Sequence, residues 1–339
     1  MNGDLLIYDV QTGDTLASIG EKIGCSGDEI RNFHNRHCQE AGLLWISSLV
    51  GISRIVIPAR FENPEETRKL IKKLLPSEPY SGNFLAETYK VTETLKQSGE
   101  KTAAISYKTD IKFRENPQKG WIADIRNFEH KKDGQKVDDK MGGLALAAME
   151  AVSPLSLTVS ETGSLLGFEN LKLIQEKFKA GRTEIEDFYV GETAAAYLDR
   201  FSENIQAEDY FFRQISTAMP YYLLFPEIGL FKKTESFQRK FHVYRNSFPV
   251  NCGFTVTHNF ADDDSVTTVF DGKIKESCSL LEVLRGVRFD PEPEELLDGD
   301  VKITYETSKK TKKLLRADLE ITLRFEGEVY FEHFLNLEE

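Results

Sequence analysis

The chain has 339 residues, 40% of them hydrophobic and 29% charged, a composition that can fill a sizeable core and excludes wholesale disorder. Its 55 Asp and Glu outnumber 43 Lys and Arg, for a formal charge of −12. Phosphate contacts need the opposite balance, so nucleic acid is not expected as the main partner. Single cores rarely grow beyond about 250 residues, so the length suggests roughly two or three domains. The four cysteines, Cys25, Cys38, Cys252 and Cys278, are too scattered for a disulfide framework and form no CxxC pair. They read as small buried hydrophobes in a reducing compartment. The start, Met1-Asn2-Gly3-Asp4, runs directly into Leu5-Leu6-Ile7-Tyr8 without a basic or apolar leader region. No window offers about 18 uninterrupted apolar residues. Together these predict a cytoplasmic protein with no membrane span.

Leu5 to Val10 reads as a strand, and Thr12-Gly13-Asp14-Thr15 as a turn that opens a helix. Leu16, Ile19 and Ile23 recur at helical spacing, with Gly24 where a C-terminal cap is wanted. Ser26 and Glu29 have the spacing of a capping box before Ile30 and Phe33, a second short helix. Arg54-Ile55-Val56-Ile57-Pro58 is a strand stopped by proline. The predicted order is strand, helix, helix, strand within the first sixty residues.

Tyr8-Asp9-Val10, Thr12-Gly13-Asp14-Thr15-Leu16 with Ile19, Gly24-Cys25-Ser26, Ile30, Asn35 and the closing Ile55-Val56-Ile57-Pro58 resemble a LysM domain. That small βααβ module binds glycans containing N-acetylglucosamine, such as peptidoglycan. The resemblance covers residues 1–60, about one-sixth of the chain. It departs from the family pattern in the long Arg36–Leu49 connection, and in Gly51, which stands one residue ahead of the usual glycine, leaving Ile52 in its place. In the family the ligand lies between the turn before helix one and the loop before strand two. The resemblance therefore implies a glycan- or partner-binding groove with Gly13, Asp14, Thr15 and Leu16 on one wall and Val50, Gly51 and Ile52 on the other. Asp14 and Thr15 have a simpler reading as helix-capping residues.

Residues 61–82 open with Asn63-Pro64-Glu65-Glu66 and carry Leu70, Ile71, Leu74 and Leu75 on one stripe, which predicts a helical linker. Residues 83–339 then change character. Strands are predicted at 86–95, 102–113 and 121–128, a helix at 137–152, and a hairpin from strands 154–159 and 165–168. Helices are predicted around Leu171, Ile174 and Phe178, and at 193–201 and 209–219. Pro220 and Pro226 bracket the aromatic run Tyr221-Tyr222-Leu223-Leu224-Phe225, which reads as core or as a ligand or partner surface. Strands return at 239–244, 254–259, 266–270, 301–306, 317–325 and 329–335, with turns at Asp271-Gly272 and Gly327. The lysine run from Lys309 to Lys313 is expected at a solvated hairpin tip. The predicted fold class is α+β: an N-terminal βααβ module followed by a larger antiparallel-sheet domain with inserted helices.

No Walker A, GxGxxG, GxSxG or HExxH pattern is present. His34, His37 and Cys38 form the one local cluster of metal-ligand types and lack obvious further ligands. Asp262-Asp263-Asp264 lacks the spacing and glycine of a calcium loop. No catalytic residue, metal or cofactor is expected. The first functional expectation is a non-enzymatic adaptor, since LysM modules also occur as docking parts of phage-tail-like, contractile injection and type VI secretion machines. Its partner would be a tube, spike, baseplate or effector protein. The second is a peptidoglycan-binding protein. The third is a carrier whose large domain encloses a hydrophobic ligand, motivated by Tyr221–Phe225 and requiring a ligand-sized apolar cavity. A wall hydrolase or toxin ranks last.

Overall fold

The computed structural model describes residues 5–23, 25–38, 42–44, 46, 48–58, 73–233, 236–244, 247–262, 264–289 and 296–339. The chain divides into two units, Met1–Lys73 and Leu74–Glu339. Gly24, Asp263 and most of the linker expected over 61–82 lie outside the described residues.

The first unit contains β1 (Leu5–Asp9), α1 (Leu16–Ile23), α2 (Gly27–His37) and β2 (Arg54–Pro58). β1 and β2 pair antiparallel, with Asp9 opposite Arg54. Leu16, Ile19, Ile30, Leu44, Leu49, Ile55 and Ile57 form its buried cluster. α2 starts where the sequence predicts, because Ser26 and Glu29 close a reciprocal capping box. With so few apolar side chains, the unit depends on its polar groups being satisfied. His34 is buried, and its Nδ1 accepts the Val56 N–H at 2.9 Å while its Nε2 lies 2.8 Å from the Gly42 carbonyl. Those partners fix the neutral tautomer with the proton on Nε2. Asn35 holds the same connection from both sides, donating to the Leu44 carbonyl and accepting the Leu44 N–H. The long loop before β2 is thus fastened to α2 by two adjacent side chains, and it adds Leu44 to the core.

In the second unit the chain forms β3 (Thr88–Gln97), β4 (Ala103–Glu115), β5 (Trp121–Lys132), β6 (Gln135–Lys136), α3 (Lys140–Ala151), β7 (Leu155–Val159) and β8 (Leu165–Phe168). Four helices follow: α4 (Leu171–Phe188), α5 (Glu192–Gln206), α6 (Glu208–Ser216) and α7 (Met219–Leu224). After a 3-10 turn at Ile228–Lys232 come β9 (Phe237–Phe241), β10 (Val250–Asn259), β11 (Ser265–Ile274) and α8 (Leu280–Arg285). The hairpins β12 (Asp298–Ser308), β13 (Leu314–Phe325) and β14 (Glu328–Glu338) end the chain.

These strands make one antiparallel sheet in the order β8-β7-β5-β4-β3-β14-β13-β12-β11-β10-β9, with β6 beside β5. The fold is α+β with eight α-helices among the described residues. Two meanders are joined where β14 pairs with β3, Leu337 standing opposite Val91 and Leu335 opposite Glu93. The C-terminal strands alternate cleanly: Val301, Ile303 and Tyr305 of β12 lie buried beside Ile321, Leu319 and Ala317 of β13. The opposite face carries cross-strand polar pairs such as Arg324–Asp300 and Asn336–Asp318. That is the pattern of a sheet with one covered and one wetted face. α7 covers β13 and β14 on the apolar side, so Tyr221, Leu223, Leu224 and Phe225 are buried.

Four expectations change. The helix expected over 209–219 ends at Ser216 and restarts as α7 with Pro220 in its first turn, because proline cannot continue a helix but can open one. Asp271-Gly272 is not a turn; it lies inside β11, with Gly272 directly opposite Phe254. A Cβ on Gly272 would meet the Phe254 ring at 2.4 Å, so the missing side chain makes room for that ring. The lysine run does sit at a hairpin tip, but it is not free: Lys309 donates to the Phe260 carbonyl at 2.9 Å and Lys313 pairs with Glu339. Finally, α8 has no counterpart among the predicted elements, although Ser279 and Glu282 close a capping box at its start.

Tyr89 is fully buried, and its hydroxyl accepts the Ala86 N–H at 2.8 Å and donates to the Leu314 carbonyl at 2.7 Å, linking the starts of β3 and β13. Tyr89→Phe leaves both backbone groups without their partner and is expected to cost about 1–3 kcal/mol. Native-state hydrogen exchange should show the loss at the β3 and β13 amides. Gly272→Ala, by displacing the Phe254 ring, is expected to cost about 1–3 kcal/mol in denaturant unfolding.

Candidate functional site

The predicted groove residues come from the two ends of the β1–β2 ladder that lie side by side. β1 and β2 are antiparallel, and the Val10 N–H extends their ladder by donating to the Ser53 carbonyl at 2.9 Å. The turn after β1 and the loop before β2 therefore leave from the same end. The first turn is closed by the Asp14 N–H to the Gln11 carbonyl, the second by the Ile52 N–H to the Leu49 carbonyl. Gly13 and Gly51 sit at these turns with φ of +95° and +80°, and neither has any atom within 4 Å of where a Cβ would stand. Both turns thus present bare backbone.

The side chains named on the first wall are committed to the fold. Asp14 accepts from the Lys22 ammonium, the Gln11 N–H and the Tyr8 hydroxyl, each at 2.9 Å. Those contacts, Lys22 first, hold its carboxyl below the usual carboxylate range. Thr15 caps α1: its Oγ1 accepts the Ser18 N–H at 3.0 Å, and its own N–H donates to Ser18 Oγ at 2.9 Å. Leu16 is 1% exposed and supports the turn from beneath. On the second wall Ile52 packs partly against the same small core, whereas Val50 is 93% exposed. What this end of the unit offers a partner is open backbone at Gly13 and Gly51 and one projecting apolar side chain.

The larger unit holds a second concave feature that sequence reasoning located only through the Tyr221–Phe225 run. A cleft of about 220 Å³ lies between α7, the 3-10 turn and the strands β9 to β12. Its floor is apolar, from Phe231, Phe254, Phe270 and Ile303. The aromatic rings meet edge to face, Phe231 with Phe270 at 5.8 Å and Phe270 with Tyr305 at 5.9 Å. Its polar lining includes Tyr222, Tyr305 and Arg239, whose guanidinium lies 5.4 Å over the Tyr222 ring. Burial pushes both phenols above the ordinary tyrosine range, against a smaller opposing pull from Arg239, so they remain neutral donors. His242 also lines the cleft. It lies 2.9 Å from the Ser247 carbonyl through Nδ1, and burial lowers its pKa.

The remaining candidates are structural. His34 uses both ring nitrogens inside its unit, and no group of three or more His, Cys, Asp or Glu among the described residues is placed to share a metal ion. Asp262 closes an Asx turn by accepting the Asp264 and Ser265 N–H groups at 2.9 and 2.7 Å. Cys252 and Cys278 are buried, and burial raises their thiols to about 12 and about 11, so both stay protonated. No helix among the described residues is long and apolar enough to cross a membrane.

The chain matches no protein-family model and no curated protein. Among solved structures it is similar to lipovitellin, in a structure described as "lipid–protein interactions in lipovitellin". The identity is 10% and the TM-score 0.36. The match covers 74% of this chain but 24% of that one, so this chain spans about a quarter of that neighbour's length.

Because its folded pKa is depressed, Asp14 contributes stability that is present above the unfolded carboxyl value and lost as pH falls through the folded one. The turn from Gln11 to Thr15 is expected to loosen only below about pH 4. The protection factor of the Gln11 amide, its exchange rate relative to the unprotected rate at the same pH, should fall in that window between pH 6 and pH 2.5, and Asp14→Asn should abolish that fall.

Proposed function

We propose that the chain is a non-enzymatic adaptor whose N-terminal βααβ unit is a LysM-type module that docks on another protein. The expected partner is a tube, spike, baseplate or effector component of a bacterial contractile injection assembly of the type VI secretion kind. What carries the reading is the composition of the paired turns. Asp14 and Thr15 are consumed by the fold, and Val50 projects into solvent beside them. An exposed valine flanked by open backbone gains free energy when a protein surface covers it, roughly 1.5–3 kcal/mol for full burial of such a side chain. Ile46, in the long connection that departs from the family pattern, is exposed as well. The likeness to lipovitellin carries none of this reading.

A second reading, binding of N-acetylglucosamine glycans such as peptidoglycan, is favoured by the open backbone at Gly13 and Gly51. Unshielded N–H and C=O groups on two facing turns suit an acetamido group, and a small apolar side chain suits its methyl.

Pull-down of the full-length chain from its host's lysate, with insoluble peptidoglycan as a parallel bait, separates the two readings. The adaptor reading expects recovery of tube, spike, baseplate or effector proteins and no sedimentation with peptidoglycan. Val50→Asp should cut that recovery at least tenfold without changing the thermal midpoint, since the side chain touches little of its own fold. Sedimentation that N-acetylglucosamine oligomers compete away would establish the glycan reading in its place.

A further inference from the structure

The cleft beside α7 brings tyrosines and an arginine together over an apolar floor. Tyr89 ties its buried hydroxyl to Ala86 and Leu314, whereas the buried hydroxyls of Tyr80, Thr109, Ser247 and Thr307 have no partner among the described residues. Tyr305 is 2% exposed, yet its hydroxyl makes no hydrogen bond with any described residue, and neither does that of Tyr222. A phenol in such a position is a donor open to whatever enters the cleft. Two of them on the walls of one cleft leave a pair of donors for which the fold supplies no partner.

Charge points the same way. Among the described residues that line the cleft, Arg239 carries the one full formal charge, since burial holds His242 toward its neutral form. Its nearest carboxylate, Glu227, approaches only to 3.5 Å and is itself well exposed, so the guanidinium is incompletely neutralised. The floor is aromatic and aliphatic. An apolar cavity of about 150 Å³ takes a benzene ring, so about 220 Å³ suits a body on the order of ten non-hydrogen atoms.

We propose that this cleft is a binding site for a small amphiphilic carboxylate, its apolar body against Phe231, Phe254 and Phe270 and its carboxylate held by Arg239, Tyr222 and Tyr305. The guanidinium supplies charge and a planar pair of donors, and the phenols donate to the remaining lone pairs. Each group then gains what the fold withholds: the phenols an acceptor, the guanidinium a closer anion, the floor an apolar cover. The site lies wholly within the second unit, so it stands apart from the docking reading of the first.

Isothermal titration of the full-length protein with decanoate, 3-phenylpropionate and decanol tests the assignment. At least one carboxylate should bind saturably at one site per chain, and the ranking of the two identifies an acyl or an aryl body. Decanol, which lacks the anionic head, should bind at least tenfold more weakly than decanoate. Arg239→Gln should close that gap. Tyr305→Phe should weaken the carboxylate about fivefold while leaving the thermal midpoint unchanged or higher, because the hydroxyl holds nothing in the protein. The proposal is overturned if neither carboxylate binds at millimolar concentration, if decanol matches decanoate, or if Arg239→Gln leaves the preference intact.

Discussion

The pairing of β14 with β3 is the constraint on which the larger unit depends. Residues 330–338 and 90–97 come from opposite ends of that unit, and their ladder turns two separate meanders into a single sheet. Closing a loop of that length costs conformational entropy that grows slowly with length, and the cost is repaid only when the whole interface forms. Tyr89 reinforces the closure from the apolar side by bridging to Leu314, at the start of the strand beyond β14. Everything between the two strands, including α3 to α7, is an excursion that must return to this seam. α7 does so directly, by packing on β13 and β14. The position of the cleft follows, because it is lined by α7, the turn after it and β9 to β12.

Polar satisfaction distinguishes the parts of this protein that hold shape from the parts left available. His34 and Asn35 fasten the long connection of the first unit, and Asp14 and Thr15 close its first turn. In each case a side chain of functional type is engaged by backbone or by a neighbour, which rigidifies the local turn or loop. Tyr222 and Tyr305 differ, since their hydroxyls make no hydrogen bond with a described residue, and beside them Arg239 meets Glu227 only at 3.5 Å. A core built for stability alone would be served as well by phenylalanine at the two tyrosine positions.

How much of this was legible in the sequence follows from the same distinction. The βααβ order of the first unit could be read because capping boxes and short apolar runs are local signals, as at Ser26 and Glu29. β12 to β14 could be read because one covered face enforces strict alternation. β11 misled at Asp271-Gly272, since a glycine that makes room for the ring of Phe254 is written with the same letters as a turn. α8 was missed because six residues are too short for periodicity, although its capping box was there to be found. The seam between β3 and β14 has no local signature at all. The cleft was visible only as the aromatic run of α7, since Arg239, Phe254, Phe270 and Tyr305 reach it from four successive strands that only sheet pairing brings to one face.

The two candidate sites also differ in how sequence change would reach them. At the paired turns the surface left open is backbone at Gly13 and Gly51 plus the projecting Val50, and its shape is set by the turn and capping contacts of Asp14 and Thr15 and by the buried Leu16. A partner would therefore be lost as readily by a substitution beneath the turn as by one upon it. In the cleft the reverse holds. The aromatic floor belongs to the continuous core and is constrained by packing whether or not a ligand binds, whereas the Tyr305 hydroxyl and the Arg239 guanidinium can be removed with little damage to the fold. Chemistry that costs the fold little to lose, and that the fold does not use, is where a function separate from stability can be read in this molecule.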